Sequence, residues 1–494
     1  MGISSNLVNR ASFTAADIVK DIWTSLHLPP HALSSLALPG HQTGPATPSS
    51  FKIGHLAQSS IALSALTASL VHSGRSSSSS PSTSPSISPI PRVSVPLDHA
   101  LIEFKSERLY SIDNQPLESV WGTIGGLHKT ADGYVRIHDN FPNHALGTLQ
   151  LLGLPPTASR QDVAAKVAQW KSVDLETEAT EKGKLAIYAL RSYAEWDALP
   201  QASAINDNPI LIRQLAPGSP KILPETSSSR CLQGIRILEM SRVIAAPVAG
   251  KTLAAHGADV LWVTSPNLPN QPGLDRDLSR GKRTIQLDIH KPDEKERLLE
   301  LLRSCDVFIQ GYRPGSLAAY GFSPEELQKA NPDIICANLS AFGPSGPWSQ
   351  RRGYDSLVQT CTGMNVSEAE HFGAGEPARV MPCQALDHAA GYLLATGITA
   401  ALHRRAQVGG SWVVDVSLAG VMKYLRSLGQ YPGKTGFESQ DVQAQEDVHP
   451  DYLETKDTAF GSMRAVSHSA SVEGCEVGWE EMPKPLGSDE ARWL

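Results

Sequence analysis

The feature that most limits the fold is a regular alternation of short apolar runs with helix-length segments between residues 235 and 339. Ile235-Arg236-Ile237-Leu238-Glu239-Met240 reads as a strand. Pro247 to His256 reads as a helix with Pro in its first turn and Gly257 at its end, and Ala258 to Val263 reads as the next strand. The pattern repeats with a strand at Thr284 to Ile289, a helix at Asp293 to Arg303 that buries Leu298, Leu299, Leu301 and Leu302, and a strand at Asp306 to Gln310. Ser323-Pro324-Glu325-Glu326 is a capping box opening a helix to Ala330, and Asp333 to Leu339 is another buried strand. A long apolar helix from His388 to Arg404 and a strand from Trp412 to Ser417 complete the series. Successive βα units bring every strand back in the same direction, so the predicted class is α/β: a doubly wound, Rossmann-like parallel sheet in the C-terminal half.

The N-terminal half has a different texture. Phe13 to Leu28 and Gln58 to Val71 read as helices, Asp132 to His138 as a strand and Ser159 to Trp170 as a helix, which together predict an α+β N-terminal region. A chain of 494 residues is too long for a single core. Composition divides it into a helical segment at 1–72, a Ser/Pro-rich linker at 73–92, an α+β region at 93–215, a second linker at 216–230, the Rossmann-like domain at 231–430 and an irregular tail at 431–494.

Charge narrows the partners. The 43 Lys and Arg against 50 Asp and Glu leave a net −7, so neither nucleic acid nor an anionic membrane is an expected partner, and an anionic ligand must find local positive charge. The start of the sequence has no signal-peptide pattern and no apolar run is long enough to span a bilayer, which predicts a cytoplasmic location. Six cysteines are scattered without C-x-x-C spacing, an expectation against both a disulfide framework and a structural zinc site. No metal ligand is assigned, and His388 reads as a first-turn helix residue.

Three strings bear on chemistry. Ala245-Ala246-Pro247-Val248-Ala249-Gly250-Lys251-Thr252 follows a strand as a phosphate loop would, but it lacks the first glycine, and Pro247 removes a backbone donor. Asp387, in Gln384-Ala385-Leu386-Asp387-His388-Ala389-Ala390-Gly391, has two readings that can hold together. It is an N-cap for the long helix, or an ionised carboxylate at a helix N-terminus, with the small residues beside it leaving room for a substrate and the carboxylate acting as nucleophile. Lys282 and Arg283, Arg313 in Gly311-Tyr312-Arg313-Pro314-Gly315, and Arg351-Arg352 before Gly353-Tyr354-Asp355 are basic residues at strand ends, suited to a diphosphate.

Taken in order, these strings resemble the family III CoA-transferases, which include the CaiB/BaiF-like carnitine CoA-transferases, formyl-CoA transferases and α-methylacyl-CoA racemases. The resemblance runs from Leu232 to Leu428. It rests on Leu232-Gln233-Gly234-Ile235-Arg236-Ile237-Leu238-Glu239, Ala254-Ala255-His256-Gly257-Ala258-Asp259-Val260, Arg280-Gly281-Lys282-Arg283-Thr284, Gly311-Tyr312-Arg313-Pro314-Gly315, Arg352-Gly353-Tyr354-Asp355, and Asp387 before Gly391. It implies an enzyme that moves CoA from an acyl-CoA to a carboxylic acid, with CoA as substrate and no permanently bound cofactor. The nucleophilic aspartate falls on Asp387. Lys282, Arg283, Gly311, Tyr312, Arg313, Arg352 and Tyr354 fall on CoA-contacting positions. The sequence departs from relatives at Trp262-Val263-Thr264, which closes the second strand, and at Ala319, where a basic residue is usual. No glycine-rich loop follows Leu428, so oxalate is not a favoured acceptor. Tyr354 stands where the racemases carry His, which sets racemisation second, and a non-catalytic acyl-CoA binder is the third alternative. Asp132-Gly133-Tyr134-Val135 resembles the start of the family's small domain, and family members are homodimers, so the expected assembly is a homodimer or an intrachain pseudo-dimer.

Overall fold

A computed structural model describes residues 7–40, 44–76, 89–115, 121–223 and 228–494. Seven strands form its central sheet: β1 (Ile210–Ala216), β2 (Arg236–Met240), β3 (Asp259–Thr264), β4 (Lys282–Gln286), β5 (Val307–Gln310), β6 (Ile335–Ser340) and β7 (Ser411–Ser417). Their spatial order is β4-β3-β2-β5-β6-β7-β1. From β4 to β7 all neighbours are parallel, as predicted. The exception is β1, which runs antiparallel to β7 with a register shift at Ser411 and Trp412. Because β1 comes from the region expected to end before the main domain, the sheet does not respect a boundary near residue 230.

Four helices matter for the site: α1 (Ile53–Ser76), α2 (Ala245–Ala255), α3 (Asp355–Cys361) and α4 (Ala385–Val408). Every residue of α4 from Ala385 to Leu402 is buried. A helix apolar on all sides needs cover on all sides. The sheet covers one side of α4, α2 a second and α1 a third, and Thr399 Oγ1 reaches Thr67 Oγ1 of α1 at 2.6 Å. The N-terminal segment is therefore part of the same core as the sheet. Of the expected linker at 73–92, residues up to Ser76 continue α1, and 77–88 lie outside the described residues, as do 224–227 of the linker at 216–230.

Small residues let α4 approach its neighbours. A Cβ on Gly391 would lie 2.5 Å from both the Ala245 carbonyl oxygen and Val248 Cβ, and one on Gly397 would lie 2.5 Å from Val414 Cγ1 of β7. Gly391 thus serves helix packing, a different use from the substrate room expected of it.

The α+β region is built on an antiparallel sheet of Gly126–Lys129, Tyr134–Ile137 and Ile187–Ala189, with its own core around Val135, Val163, Leu175 and Ile187. The segment 431–494 is more ordered than the expected irregular tail. Leu453–Thr458 and Gly461–Val466 form an antiparallel hairpin that pairs with Ser111–Ile112. Beyond the hairpin, Trp479 is buried beneath the Arg280 guanidinium at 4.1 Å, and the backbone then passes along β4, with Asp489 N–H donating to the Thr284 carbonyl at 3.0 Å.

Gly391→Ala should cost about 1 to 3 kcal/mol, the usual penalty of forcing a methyl group into a packed contact. Urea unfolding of the two proteins would measure it. An unchanged midpoint would mean that α4 and α2 can separate freely.

Candidate active site

A doubly wound sheet opens a crevice where the chain reverses its direction of winding, beyond the C-terminal ends of the two strands that flank the reversal. Here those strands are β2 and β5. Gly311, directly after β5, donates its N–H to the Met240 carbonyl at 3.0 Å, and a Cβ there would lie 3.0 Å from Ala246 Cβ and 3.2 Å from Ser241 Cβ. The lack of a side chain brings the two loops together at the floor of the crevice. Val243, between β2 and α2, has φ 70°, a left-handed conformation costly for a β-branched residue and characteristic of functional turns. Above these loops is a cavity of about 900 Å³. Arg242, Arg313, Arg351 and Arg352 line it, and Asp387 is the one acidic residue among its described lining residues. A protein of net negative charge thus gathers arginines in one cleft, Arg351 being paired with Glu176 and Glu181, an arrangement suited to a polyanion.

The N-terminus of α4 delivers Asp387 to this cavity. The helix starts at Ala385, three residues before the predicted start, so Asp387 sits in its first turn and is not the N-cap. The capping work falls to Asp355 of α3. Its Oδ2 accepts the N–H groups of Leu386 at 2.8 Å and Asp387 at 3.0 Å, while Oδ1 accepts the Gln359 amide. Asp355 therefore has the donors needed to hold a charge. Burial raises its pKa to about 6, with those bonds opposing the rise. Asp387 is pushed well above the ordinary carboxylate range, first by burial and then by the charges of Asp355 and Glu107. Of the two coupled carboxyls, Asp387 holds the proton more tightly, because Asp355 takes the backbone donors. Glu107, from the N-terminal half, lies 2.9 Å from His388 Nε2.

Five of the predicted CoA-contacting residues come together with Asp387: Gly311, Tyr312, Arg313, Arg352 and Tyr354 all line the cavity. The partly buried Tyr354 ring stacks on His138 at 3.8 Å, and its hydroxyl is raised to about 12, mainly by desolvation. Lys282 and Arg283 are elsewhere, and this corrects the expectation drawn for them. They begin the edge strand β4 and neither lines the cavity, although Lys282 shares the Glu239 carboxylate with Ser241 of the crevice floor. Lys282 is buried and its Nζ donates to Glu239 at 2.9 Å and to the Pro247 carbonyl at 2.8 Å. A carboxylate buried on the interior strand β2 needs such a counter-charge. Arg283 makes a two-pronged contact with Asp259.

Sequence reading missed Arg242, Phe141 and His144, which also line the cavity, and gave Asp355 no role. Arg242 was findable, since it follows directly the strand where the winding reverses. Phe141, whose ring lies 4.4 Å from the Arg242 guanidinium, and His144 come from the α+β region and carry no local signal. Burial and the neighbouring Arg352 and Arg242 push the His144 pKa down to about 4, so its imidazole is neutral near pH 7.

A Rossmann-like protein with a carboxylate set in an arginine-lined cleft at its winding reversal is the class that fold and site define. The chain belongs to CoA-transferase family III, whose profile matches residues 232–483. It is 29% identical over 333 residues to an acetyl-coenzyme A transferase of Hypoxylon pulicicidum, covering 63% of this chain and 56% of that protein. It is 37% identical over 202 residues to a formyl-CoA:oxalate CoA-transferase of Afipia carboxidovorans, covering 38% of this chain and 47% of that one. A solved CaiB/BaiF family structure from Brucella suis aligns at 25% identity over 47% of this chain and 65% of that one, with a TM-score of 0.35. The chain spans about half the length of the curated relatives it matches.

A carboxyl whose pKa is raised by folding stabilises the protein while protonated, and that stability is lost as pH rises from the ordinary value through the raised one. Asp387→Asn should therefore melt at a higher temperature than the wild type at about pH 8, with the gap narrowing toward about pH 5. Thermal melts across that range would show it. A variant less stable at every pH would mean that Asp387 is ionised and well held in the free protein.

Proposed function

We propose that the protein is a CoA-transferase that moves CoA from an acyl-CoA donor to a carboxylic acid acceptor, with Asp387 as covalent nucleophile. The observation that carries this reading is the division of labour between Asp355 and Asp387: one carboxylate caps the helix, and the other, with no side-chain hydrogen bond among the described residues, lines the arginine-rich cavity. A poorly solvated carboxylate is a stronger nucleophile than one in water, because less solvation must be stripped from it.

In the first step an Asp387 oxygen attacks the thioester carbonyl of the donor. The C–S bond breaks, CoA leaves as thiolate, and an acyl-aspartyl anhydride forms. The thiolate attacks the Asp387 carbonyl and releases the donor acid, leaving an aspartyl-CoA thioester. The acceptor carboxylate then attacks that thioester, giving a new anhydride and thiolate. Attack of the thiolate on the acceptor's acyl carbonyl yields the new acyl-CoA and regenerates Asp387. Each step needs an oxyanion and a thiolate stabilised in a confined space. The arginines suit the CoA phosphates and the carboxylates, and Ala245 and Ala246, at the start of α2 where the N-cap residue makes no side-chain cap bond, line the same cavity. Relatives named as acetyl-, acyl- and formyl-CoA transferases support CoA transfer as the general reaction.

Racemisation of an acyl-CoA needs two bases, and His144 shares the cavity with Asp387. A histidine with its pKa pushed down to about 4 is a weak base for a carbon acid, which keeps that reading second.

Incubation with a panel of acyl-CoAs should give a CoA-sized mass adduct, or with hydroxylamine a hydroxamate at Asp387. Asp387→Asn should lose the adduct, with turnover falling by about 10³-fold or more. Absence of an adduct with acyl-CoAs that bind would remove the transferase reading. Solvent deuterium appearing at the substrate α-carbon would install racemisation.

The nucleophile must be ionised, so adduct formation should rise with pH to a midpoint above the ordinary carboxylate range. Asp355→Asn removes a neighbouring negative charge and should move that midpoint to lower pH. Stopped-time mass spectrometry across a pH series would measure both, and an unmoved midpoint would detach Asp355 from the titration.

A further inference from the structure

His72, Cys231 and Cys475 are far apart in sequence, and no spacing motif joins them. In the fold their ligand atoms converge, all within 4.8 Å of one another. His72 is near the end of α1, Cys231 precedes β2, and Cys475 belongs to the segment after the C-terminal hairpin. Cys231 is fully buried; His72 and Cys475 are partly exposed. His72 Nδ1 is shielded from solvent and has no hydrogen-bond partner among the described residues. A polar atom in that state calls for an occupant.

The geometry points to a zinc(II) site made by His72, Cys231 and Cys475, with solvent as fourth ligand, that fastens the N-terminal helix and the C-terminal segment to the start of the Rossmann-like domain. Two sulfurs and an imidazole are the donor set this ion prefers. Tetrahedral zinc with Zn–S of about 2.3 Å holds its sulfurs about 3.8 Å apart, so small side-chain rotations close the set. Binding exchanges two thiol protons for the ion, Zn²⁺ plus two CysSH giving a Zn(S-Cys)₂ unit and two H⁺, with no oxidant or reductant. A bare Cys231–Cys475 disulfide would use the sulfurs but leave the His72 nitrogen stranded. The site belongs to the N-terminal edge of the sheet, away from Asp387, so it stands apart from the transferase reading.

The test uses the full chain, reduced, stripped with chelator and titrated with Co²⁺. The expected result is a thiolate-to-cobalt charge-transfer band and tetrahedral d–d bands that saturate at one equivalent and vanish on adding zinc. Cys231→Ser and Cys475→Ser should each abolish them, and Asp387→Asn should keep them. Circular dichroism would check that the variants fold, and the wild-type titration decides even if they do not. No tetrahedral spectrum in the wild type, bands surviving both cysteine changes, or a Cys231–Cys475 disulfide in the protein as isolated would each overturn the site.

Discussion

The burial of helix α4 from Ala385 to Leu402 is the constraint around which the rest of the molecule is arranged. A 24-residue helix with no polar face along most of its length cannot rest on a sheet with one side in water. It requires α1 and α2 as walls, which explains why a segment some 300 residues earlier in sequence belongs to the same core. It also requires glycines where the walls come close, at Gly391 against α2 and Gly397 against β7. With those contacts set, the first turn of α4 has only one place to go, beside the crevice between β2 and β5.

Burying a helix terminus creates an electrostatic problem, since its first N–H groups lose water. Asp355 solves it from outside the helix. That solution places a second carboxyl near Asp387 and so raises the energy of an ionised Asp387. The carboxylate that satisfies the helix terminus is thus the one that disfavours the charged form of its neighbour. The arginines that line the cavity give it the charge suited to a polyanion.

Most of the α/β half was legible in the sequence because each strand and helix there shows its own period and its own stop signals. Ile235 to Met240 and Asp333 to Leu339 became β2 and β6 within two residues. The start of α4 was misplaced because its cap is Asp355, about 30 residues upstream, and no local pattern reveals such a partner. The loop residues at the ends of β5 and before α3 could be assigned to the cavity from topology alone. Lys282 could not be excluded in the same way, because its burial depends on Glu239 of another strand and on Gly250, where any side chain would collide with the Glu239 carboxylate. Phe141 and His144 reach the cavity from a separate antiparallel unit, a packing relationship that periodicity does not encode.

The passage of the C-terminal segment along β4 closes the flank of the sheet. A terminal strand offers a row of unused N–H and C=O groups, a template on which a second molecule can add a strand. Asp489 takes the Thr284 N–H through its carboxylate at 2.7 Å and returns its own N–H to the Thr284 carbonyl, while Glu481 accepts from Gly281 at 2.7 Å. On the other flank, β1 carries the exposed charge of Arg213. One margin is sealed by the chain itself and the other bears a charge that opposes strand addition, so the sheet ends in directions where self-association into fibres is unfavourable.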